Sequence, residues 1–291
     1  MRLRYTKRDK KGGQLNTPHT MTLTILGAGR LGKTLAHVLH AKRAVTITDV
    51  LNRSHLSAQC AVDFIGAGRA VDAFDQLMPA AVFLLAVPDD QIALCSKQLA
   101  ASGRAGPGSV VFHCSGALDS GILTDVTATG AAVASIHPIR SFADPETVAA
   151  SFAGTYCGVE GDPEAMTILT PMLTLAGARL IPIRADSKTL YHAAAVFASN
   201  YLVSVLSVAQ QAYVAAGIPA EVALELITPL ARETAENVFR LGPATALTGP
   251  IARGDAATVA RQLQAVQQWD GAYGNLYEQL AAATTRLAAS R

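Results

Sequence analysis

The sequence predicts an α/β domain built on a doubly wound parallel sheet, followed by an all-helical domain. Three observations carry this expectation. From residue 22 to about residue 163, short apolar runs alternate with helical stretches, as parallel strands and their crossover helices do. The run Gly27-Ala28-Gly29-Arg30-Leu31-Gly32 stands where the first strand gives way to the first helix. Beyond Asp186 nearly every segment has helical periodicity.

Taken in order, residues 1–20 carry Arg2, Arg4, Lys7, Arg8, Lys10 and Lys11 but no apolar core. They read as a disordered basic leader, or as sequence upstream of a true start at Met21, and not as a secretory signal. Strands are expected at 22–26 and 44–50, with a helix at 31–42 between them. Gly66-Ala67-Gly68-Arg69 reads as a turn. Residues 80–87 are nearly all apolar, as in a strand buried on both faces. Further strands at 109–112 and 131–136 alternate with helices at 91–101 and 118–127. This completes a first domain over 21–163. A second, over 164–291, starts with a helix at 164–176 and a short strand at 180–183. Asp186 or Ser187 caps a helix running to about Ala216, stopped by Gly217 and Pro219. Helices at 220–240, 256–269 and 272–289 follow.

Composition narrows the function classes. At 291 residues there is room for two ordinary domains, and 50% hydrophobic with 16% charged residues excludes disorder for most of the length. A net charge of +2 gives no argument for nucleic acid. Cys60, Cys95, Cys114 and Cys157 form no Cys-x-x-Cys pair, which fits a reducing cytoplasm and argues against disulfides and zinc. Seven histidines lie without partners at ligand spacing, so no metal is expected. Gly-x-Ser-x-Gly is absent, leaving hydrolase chemistry unsupported. The most membrane-like stretch, 190–209, contains His192, Ser199, Asn200 and Ser204, and reads as a long buried helix of a soluble protein.

The glycine run has a physical reading as a Rossmann-type dinucleotide turn. Gly27 permits the tight turn, Gly29 lets backbone approach a pyrophosphate, and Gly32 lets helix pack on strand. Ala28, Arg30 and Leu31 complete the cradle at a helix N-terminus, whose amides and dipole favour phosphate. The same residues spell Gly27-x-x-x-x-Gly32-Lys33-Thr34, the phosphate loop of nucleoside triphosphatases. That alternative needs an acidic magnesium partner, for which only Asp49 or Asp89 is available. On context the dinucleotide reading is preferred. Asp49, near the end of the second strand, would bind a ribose hydroxyl and favour NAD. Asn52-Arg53-Ser54 just beyond it would hold a 2′-phosphate and favour NADP. NADP is the expectation, with NAD open; otherwise Arg53 is a solvated loop residue. Val87, Pro88 and Asp89 shape the ribose pocket.

Candidate chemistry lies further along. Lys188, His192, Val196 and Asn200 fall on one i+4 row of the expected helix, with Ser199 near the same face. Reduction of a carbonyl needs a proton donor for the developing alkoxide. Lys188, its pKa lowered at a helix N-terminus, or His192 would serve, while Asn200 orients the substrate. His113 and Ser115 follow a strand at the carboxyl edge, where doubly wound sheets bind ligands. His137 ends the next strand, and Arg140 is available to clamp an acid group. The competing readings are a packed histidine for His192, a helix cap for Ser115 and a rigid turn for His137-Pro138.

Together, Gly27–Gly32, Leu84-Leu-Ala-Val-Pro-Asp-Asp90, His113-Cys-Ser-Gly-Ala117, Ser135-Ile-His-Pro138, Tyr191-His192 with Ser199-Asn200-Tyr201, and Gly249-Pro250 with Arg253-Gly-Asp255 are similar to one family. It is a group of bacterial proteins with a Rossmann-like N-terminal domain. Their helical C-terminal domain of unknown function is similar to that of 6-phosphogluconate dehydrogenase-like enzymes. The resemblance covers residues 21 to about 286. More distantly the chain resembles pyrroline-5-carboxylate reductase, prephenate dehydrogenase, deazaflavin-dependent NADP reductase and ketopantoate reductase. His137-Pro138 resembles the His-Pro of prephenate dehydrogenase. In ketopantoate reductases and 3-hydroxyacid dehydrogenases a lysine on the first long C-terminal helix is the general acid, with an asparagine four residues on; here Lys188 matches, but His192 stands at the asparagine position. The resemblance implies an NAD(P)-dependent oxidoreductase acting on a small keto or imine acid of ketopantoate type, paired as a homodimer through its helical domain. Pyrroline-carboxylate-type imine reduction, a non-catalytic NADPH sensor and a triphosphatase are the alternatives.

Overall fold

A computed structural model describes residues 21–290; the expected leader at 1–20 lies outside them. The N-terminal part is an eight-stranded sheet in the order β3-β2-β1-β4-β5-β6-β7-β8. Strand β1 (Met21–Leu26) leads through helix α1 (Arg30–Ala41) to β2 (Val45–Leu51), and α2 (His55–Ile65) leads to the edge strand β3 (Arg69–Val71). The chain then crosses β1 to form β4 (Val82–Leu85), followed by α3 (Ile92–Ala101), β5 (Val110–His113), α4 (Thr124–Thr127) and β6 (Ala132–Pro138). All these strand pairs are parallel. The order reverses between β1 and β4, the switch point where such sheets bind ligands.

The apolar runs read as buried strands because both faces of the sheet are covered. Leu23, Ile25, Leu84 and Phe112 point into one hydrophobic layer, whereas Leu26, Phe83, Leu85 and Val111 point into the other. The two-residue alternation of side chains thus distributes a continuous apolar run between two cores.

The sheet does not stop where the sequence suggests. After α5 (Pro145–Ala150), capped by Asp144, strand β7 (Tyr156–Gly161) pairs antiparallel with β6. Helix α6 (Pro163–Leu175) then leads to β8 (Arg179–Pro182), which pairs parallel with β7. The first compact unit accordingly runs to Ala195, later than the expected boundary at 163, because β7 and β8 complete the sheet. Two strands are new relative to the sequence reading. Strand β3 occupies part of the segment read as a turn, being too short to show alternation, and the two glycines of β7 dilute its strand pattern.

The second unit, Val196–Arg291, is helical. Helix α7 (Lys188–Ala198) ends at Ser199, whose φ of −125° and ψ of −74° leave helical geometry, and α8 (Asn200–Ala215) resumes. The single helix expected from residue 187 to 216 is therefore two. Helices α9 (Ala220–Leu241), α10 (Pro243–Ala246), α11 (Ala256–Trp269) and α12 (Gly271–Ala288) complete the unit. Asp255 and Asp270 cap the last two through their carboxylates. The expectation of a buried helix at 190–209 is corrected. Helix α8 has no buried residue, and the apolar stretch Ala185–Ala215, with mean hydropathy 1.4, is long and apolar enough to cross a membrane.

Candidate active site

The glycine turn has the geometry its sequence requires. Gly27 adopts φ +87°, a left-handed conformation that a side chain would strain. A Cβ on Gly32 would collide with the Gly27 carbonyl oxygen, so only glycine lets α1 start this close to β1. A Cβ on Gly29 would meet nothing within 4 Å, which leaves the turn open on its outer side. The Asn52 carboxamide oxygen accepts the Ala28 N–H at 2.6 Å, and the Leu51 carbonyl accepts the Gly27 N–H at 2.9 Å. The first intrahelical bond runs from Lys33 N–H to Gly29. The amides of Arg30, Leu31 and Gly32 precede it, as a phosphate cradle needs.

The triphosphatase alternative loses its parts here. Thr34, whose hydroxyl would hold magnesium, is fully buried and donates to the Arg30 carbonyl at 2.6 Å. The Lys33 ammonium lies 4.6 Å from the centre of the Phe64 ring. Asp49 is committed as well. It is fully buried, Oδ1 accepting from Arg69 Nε at 2.9 Å and Oδ2 from Met78 N–H at 2.6 Å. Its carboxylate organises the β2–β3 edge and has no exposed face for a ribose. In the neighbouring loop Asn52 latches the turn and Ser54 caps α2 by accepting the Ser57 N–H, so the residue left facing solvent with a charge is Arg53.

Along the carboxyl edge the loops after β4 and β5 are joined. The Ser115 hydroxyl donates to Asp89 Oδ2 at 2.9 Å and accepts the amides of Ala117 and Leu118. Val87 flanks the turn, its side chain standing where a Gly27 Cβ would fall, and Pro88 leads the helical turn containing Asp89. His113 is fully buried; its Nδ1 accepts the Ser115 N–H and its Nε2 donates to the Asp119 carbonyl, both at 3.1 Å. This pattern uses the neutral ring. Burial pushes the His113 pKa down from 6.5 to about 4, opposed by the Asp119 carbonyl and reinforced by Lys188. The folded state therefore takes up this proton later than the unfolded chain. The stability it confers is complete above about pH 6.5 and declines by about 3 kcal/mol as the pH falls to 4. Urea unfolding across that range should show the decline and His113→Asn should reduce it; parallel curves for the two proteins would contradict the assignment.

Lys188 is 1% exposed. Its ammonium donates to the Ser115 carbonyl at 3.1 Å and to the Ser135 hydroxyl, and it lies 3.7 Å from Glu160 Oε1. Glu160 in turn accepts the Ser120 N–H and hydroxyl, each at 2.8 Å. Burial lowers the Lys188 pKa, while Glu160 and Asp119 oppose the shift. The ammonium has two hydrogen-bond acceptors and a carboxylate close by. Lys188 thus ties the ends of β5 and β6 to β7, with no face for a substrate.

Above Gly116 two imidazoles converge. A Cβ on this glycine would collide with His192 Nδ1 and lie 2.8 Å from His137 Nε2. The two rings pack edge-on at 5.4 Å. His192 Nδ1 is buried without a hydrogen-bond partner among the described residues, a state that costs free energy unless water or a ligand completes it. His137 Nδ1 is 2.9 Å from the Tyr191 hydroxyl. Burial drives the His137 pKa down to about 4, helped by the nearby His192 and Lys188 and opposed by Asp89.

The other expected residues fall elsewhere. Arg140 spends its guanidinium on the Ser151 carbonyl and hydroxyl and on Thr155, fastening the loop between β6 and α5. Ser199 interrupts the helix and Asn200 begins α8, so the i+4 row breaks before Asn200. Glu160, Tyr191 and Gly116 are members of the cluster that sequence reasoning did not assign. Among the described residues no group of three or more His, Cys, Asp or Glu is placed to hold a metal ion.

Residues 6–138 match the family model of a Rossmann-like domain, and residues 155–284 match that of a domain of unknown function, DUF2520. The fold is similar to that of a candidate NADP oxidoreductase from Bacteroides fragilis, with TM-score 0.76 and 21% identity over 91% of this chain and 98% of the other. A protein from Thermotoga maritima aligns with TM-score 0.70 and 27% identity over 92% and 98%. A pyrroline-5-carboxylate reductase from Coxiella burnetii aligns with TM-score 0.59 and 16% identity over 94% and 98%. A search of curated proteins finds no match.

Proposed function

Because the chain joins a Rossmann-like domain to a DUF2520 domain, we propose that it is an NADP-dependent oxidoreductase reducing a small oxo acid of ketopantoate type. The observation that carries this reading is the turn at Gly27–Gly32, open at Gly29, latched by Asn52 and followed by the first-turn amides of α1. Likeness to the NADP oxidoreductase fold supports it. Bound there, the nicotinamide supplies a hydride to the carbonyl carbon. Asp89 and Ser115 hold the loops after β4 and β5 in register beside it. His192, whose Nδ1 is buried and unpartnered, is the proton donor to the carbonyl oxygen in this reading, with His137 beside it. Lys188 acts as a positioning residue, fixing the Ser115 carbonyl beside Gly116.

NADPH consumption with a panel of 2-oxo acids and cyclic imines tests the proposal. Turnover of an oxo acid supports it, and turnover of imines alone would move the activity to pyrroline-carboxylate-type reduction. Arg53, exposed beside the turn, reads the 2′-phosphate. Arg53→Ala should weaken NADPH by about 1.5–3 kcal/mol, as for a hydrogen bond to a charged group, with little effect on NADH. Equal losses for the two cofactors, measured by isothermal titration, would assign NAD instead.

The reading includes a homodimer formed through the helical unit. Tyr201, Leu202, Val203 and Val205 of α8 are at least 39% exposed. Such an apolar face fits a protein interface, and the polar residues within it disfavour lipid. Four free cysteines accord with a reducing cytoplasm.

A further inference from the structure

Resting on the reductase reading, we infer that Asn52 is a positioning residue for cofactor choice: its carboxamide ties the glycine turn to the loop that carries Arg53, so that these two phosphate-binding segments act on NADPH as one coupled unit. The bond continues the sheet beyond its last backbone rung. Strands β1 and β2 stay in parallel register up to Leu26 and Leu51, and the Leu51 carbonyl then accepts the Gly27 N–H at 2.9 Å. Gly27 turns the chain at φ +87°. Ala28 is buried, so its N–H needs an acceptor, and the Asn52 carboxamide oxygen supplies it at 2.6 Å. A side-chain carbonyl here does what the strand's backbone would have done one rung earlier. The residue type is constrained. An acceptor on a one-carbon stem means Asn or Asp, and a carboxylate would add negative charge beside a turn that takes an anion.

The same loop is fixed at its other end. The Ser54 hydroxyl accepts the Ser57 N–H at 3.3 Å and the Ser54 carbonyl accepts the Ala58 N–H at 3.1 Å, which starts α2. Arg53 is therefore flanked by one residue bonded to the turn that leads into α1 and by another that caps α2. Its backbone is held at both neighbours while its own side chain is exposed. A guanidinium mounted in this way gives up less freedom on meeting a phosphate than one on a loose loop. The diphosphate and the 2′-phosphate belong to one molecule, so the turn and Arg53 reinforce each other only while the protein fixes the distance between them. Loss of the Asn52 bond acts on both at once. The turn loses the contact that holds Ala28, and the loop loses the side-chain contact that fixes Arg53 relative to the turn.

Isothermal titration of the full-length protein with NADPH and NADH tests this, in a cycle of wild type, Asn52→Ala, Arg53→Ala and the double variant. Introduced into the wild type, Arg53→Ala should weaken NADPH by about tenfold or more. Introduced into Asn52→Ala, it should cost less than about threefold, because contacts that act as one unit are not additive. Asn52→Ala alone should weaken NADH by about threefold to tenfold, through the turn, and NADPH by a larger factor. Independent losses from the two substitutions would overturn the inference. Unchanged NADH binding in Asn52→Ala would also overturn it, since Asn52 would then touch only the 2′-phosphate. So would a lowered unfolding midpoint with the ratio of NADPH to NADH affinity kept, which would leave Asn52 a stabilising contact and nothing more. A further measurement needs neither variant nor cofactor. Amide hydrogen exchange of the free protein should show Ala28 protected, and exchange at the rate of an open loop would remove the bond on which the coupling rests. Failure of the wild type to bind either dinucleotide would overturn the reductase reading and the inference with it, whereas independent losses overturn the inference alone.

Discussion

His192→Ala should lower kcat for NADPH-dependent reduction by about 10²–10⁴-fold, the usual range for a positioned proton donor, while leaving NADPH affinity and the unfolding midpoint unchanged. The argument is local. His192 Nδ1 is buried and unpartnered, a state that costs free energy unless a ligand completes it. His137 across the gap is held neutral at working pH, so it offers a hydrogen bond but not a labile proton. The proton that follows the hydride must then come from His192. Were His192 only packed against His137, its removal would lower the unfolding midpoint and leave kcat for the remaining folded protein intact. Kinetics and thermal unfolding on the same preparation separate the two outcomes.

Lys188→Ala should destabilise the protein by about 3–5 kcal/mol, since removing one partner strands the other buried charge. Glu160 keeps its two bonds from Ser120 but loses the only cation within 4 Å of it among the described residues. The Ser115 carbonyl and Ser135 hydroxyl lose a donor at the same time. A double variant, Lys188→Met with Glu160→Gln, removes both charges and keeps most of the volume, so it should recover much of the loss. Urea unfolding at pH 7 measures both. A loss under about 1 kcal/mol, the range of an exposed ion pair, would mean that Lys188 stands in solvent and is free to act on substrate.

The contrast between these residues marks what the sequence conveys. Gly27, Gly29 and Gly32 are legible because three local constraints fall within six residues of a strand–helix junction. Strands β4 and β5 are legible because burial on both faces leaves an unbroken apolar run. Lys188 and His192, four residues apart on one helix, look equivalent in sequence and differ only in what the sheet brings to them. Glu160 reaches Lys188 through the β6–β7 register, which sets it opposite Ser135. No spacing within the chain encodes that pairing. The same holds for Asp49: its place at the end of β2 is the ribose-reading position, but the β2–β3 pairing delivers Arg69 to it. Gly116 and Tyr191 are hidden for another reason. Their importance lies in a close approach that a missing side chain permits, of two imidazoles at Gly116 and of the Tyr191 phenol at Gly158, and an absent side chain leaves no pattern in sequence. The helical unit shows the opposite limit, where an apolar run predicts burial and the folded chain leaves that face uncovered.

Titration of the purified protein with NADPH, followed by the cofactor's own fluorescence, tests most directly whether the amides of Arg30, Leu31 and Gly32 hold a dinucleotide diphosphate. The expected result is a saturable enhancement that magnesium-ATP does not reverse. No enhancement with either NADPH or NADH, or displacement of the dinucleotide by magnesium-ATP, would contradict the account.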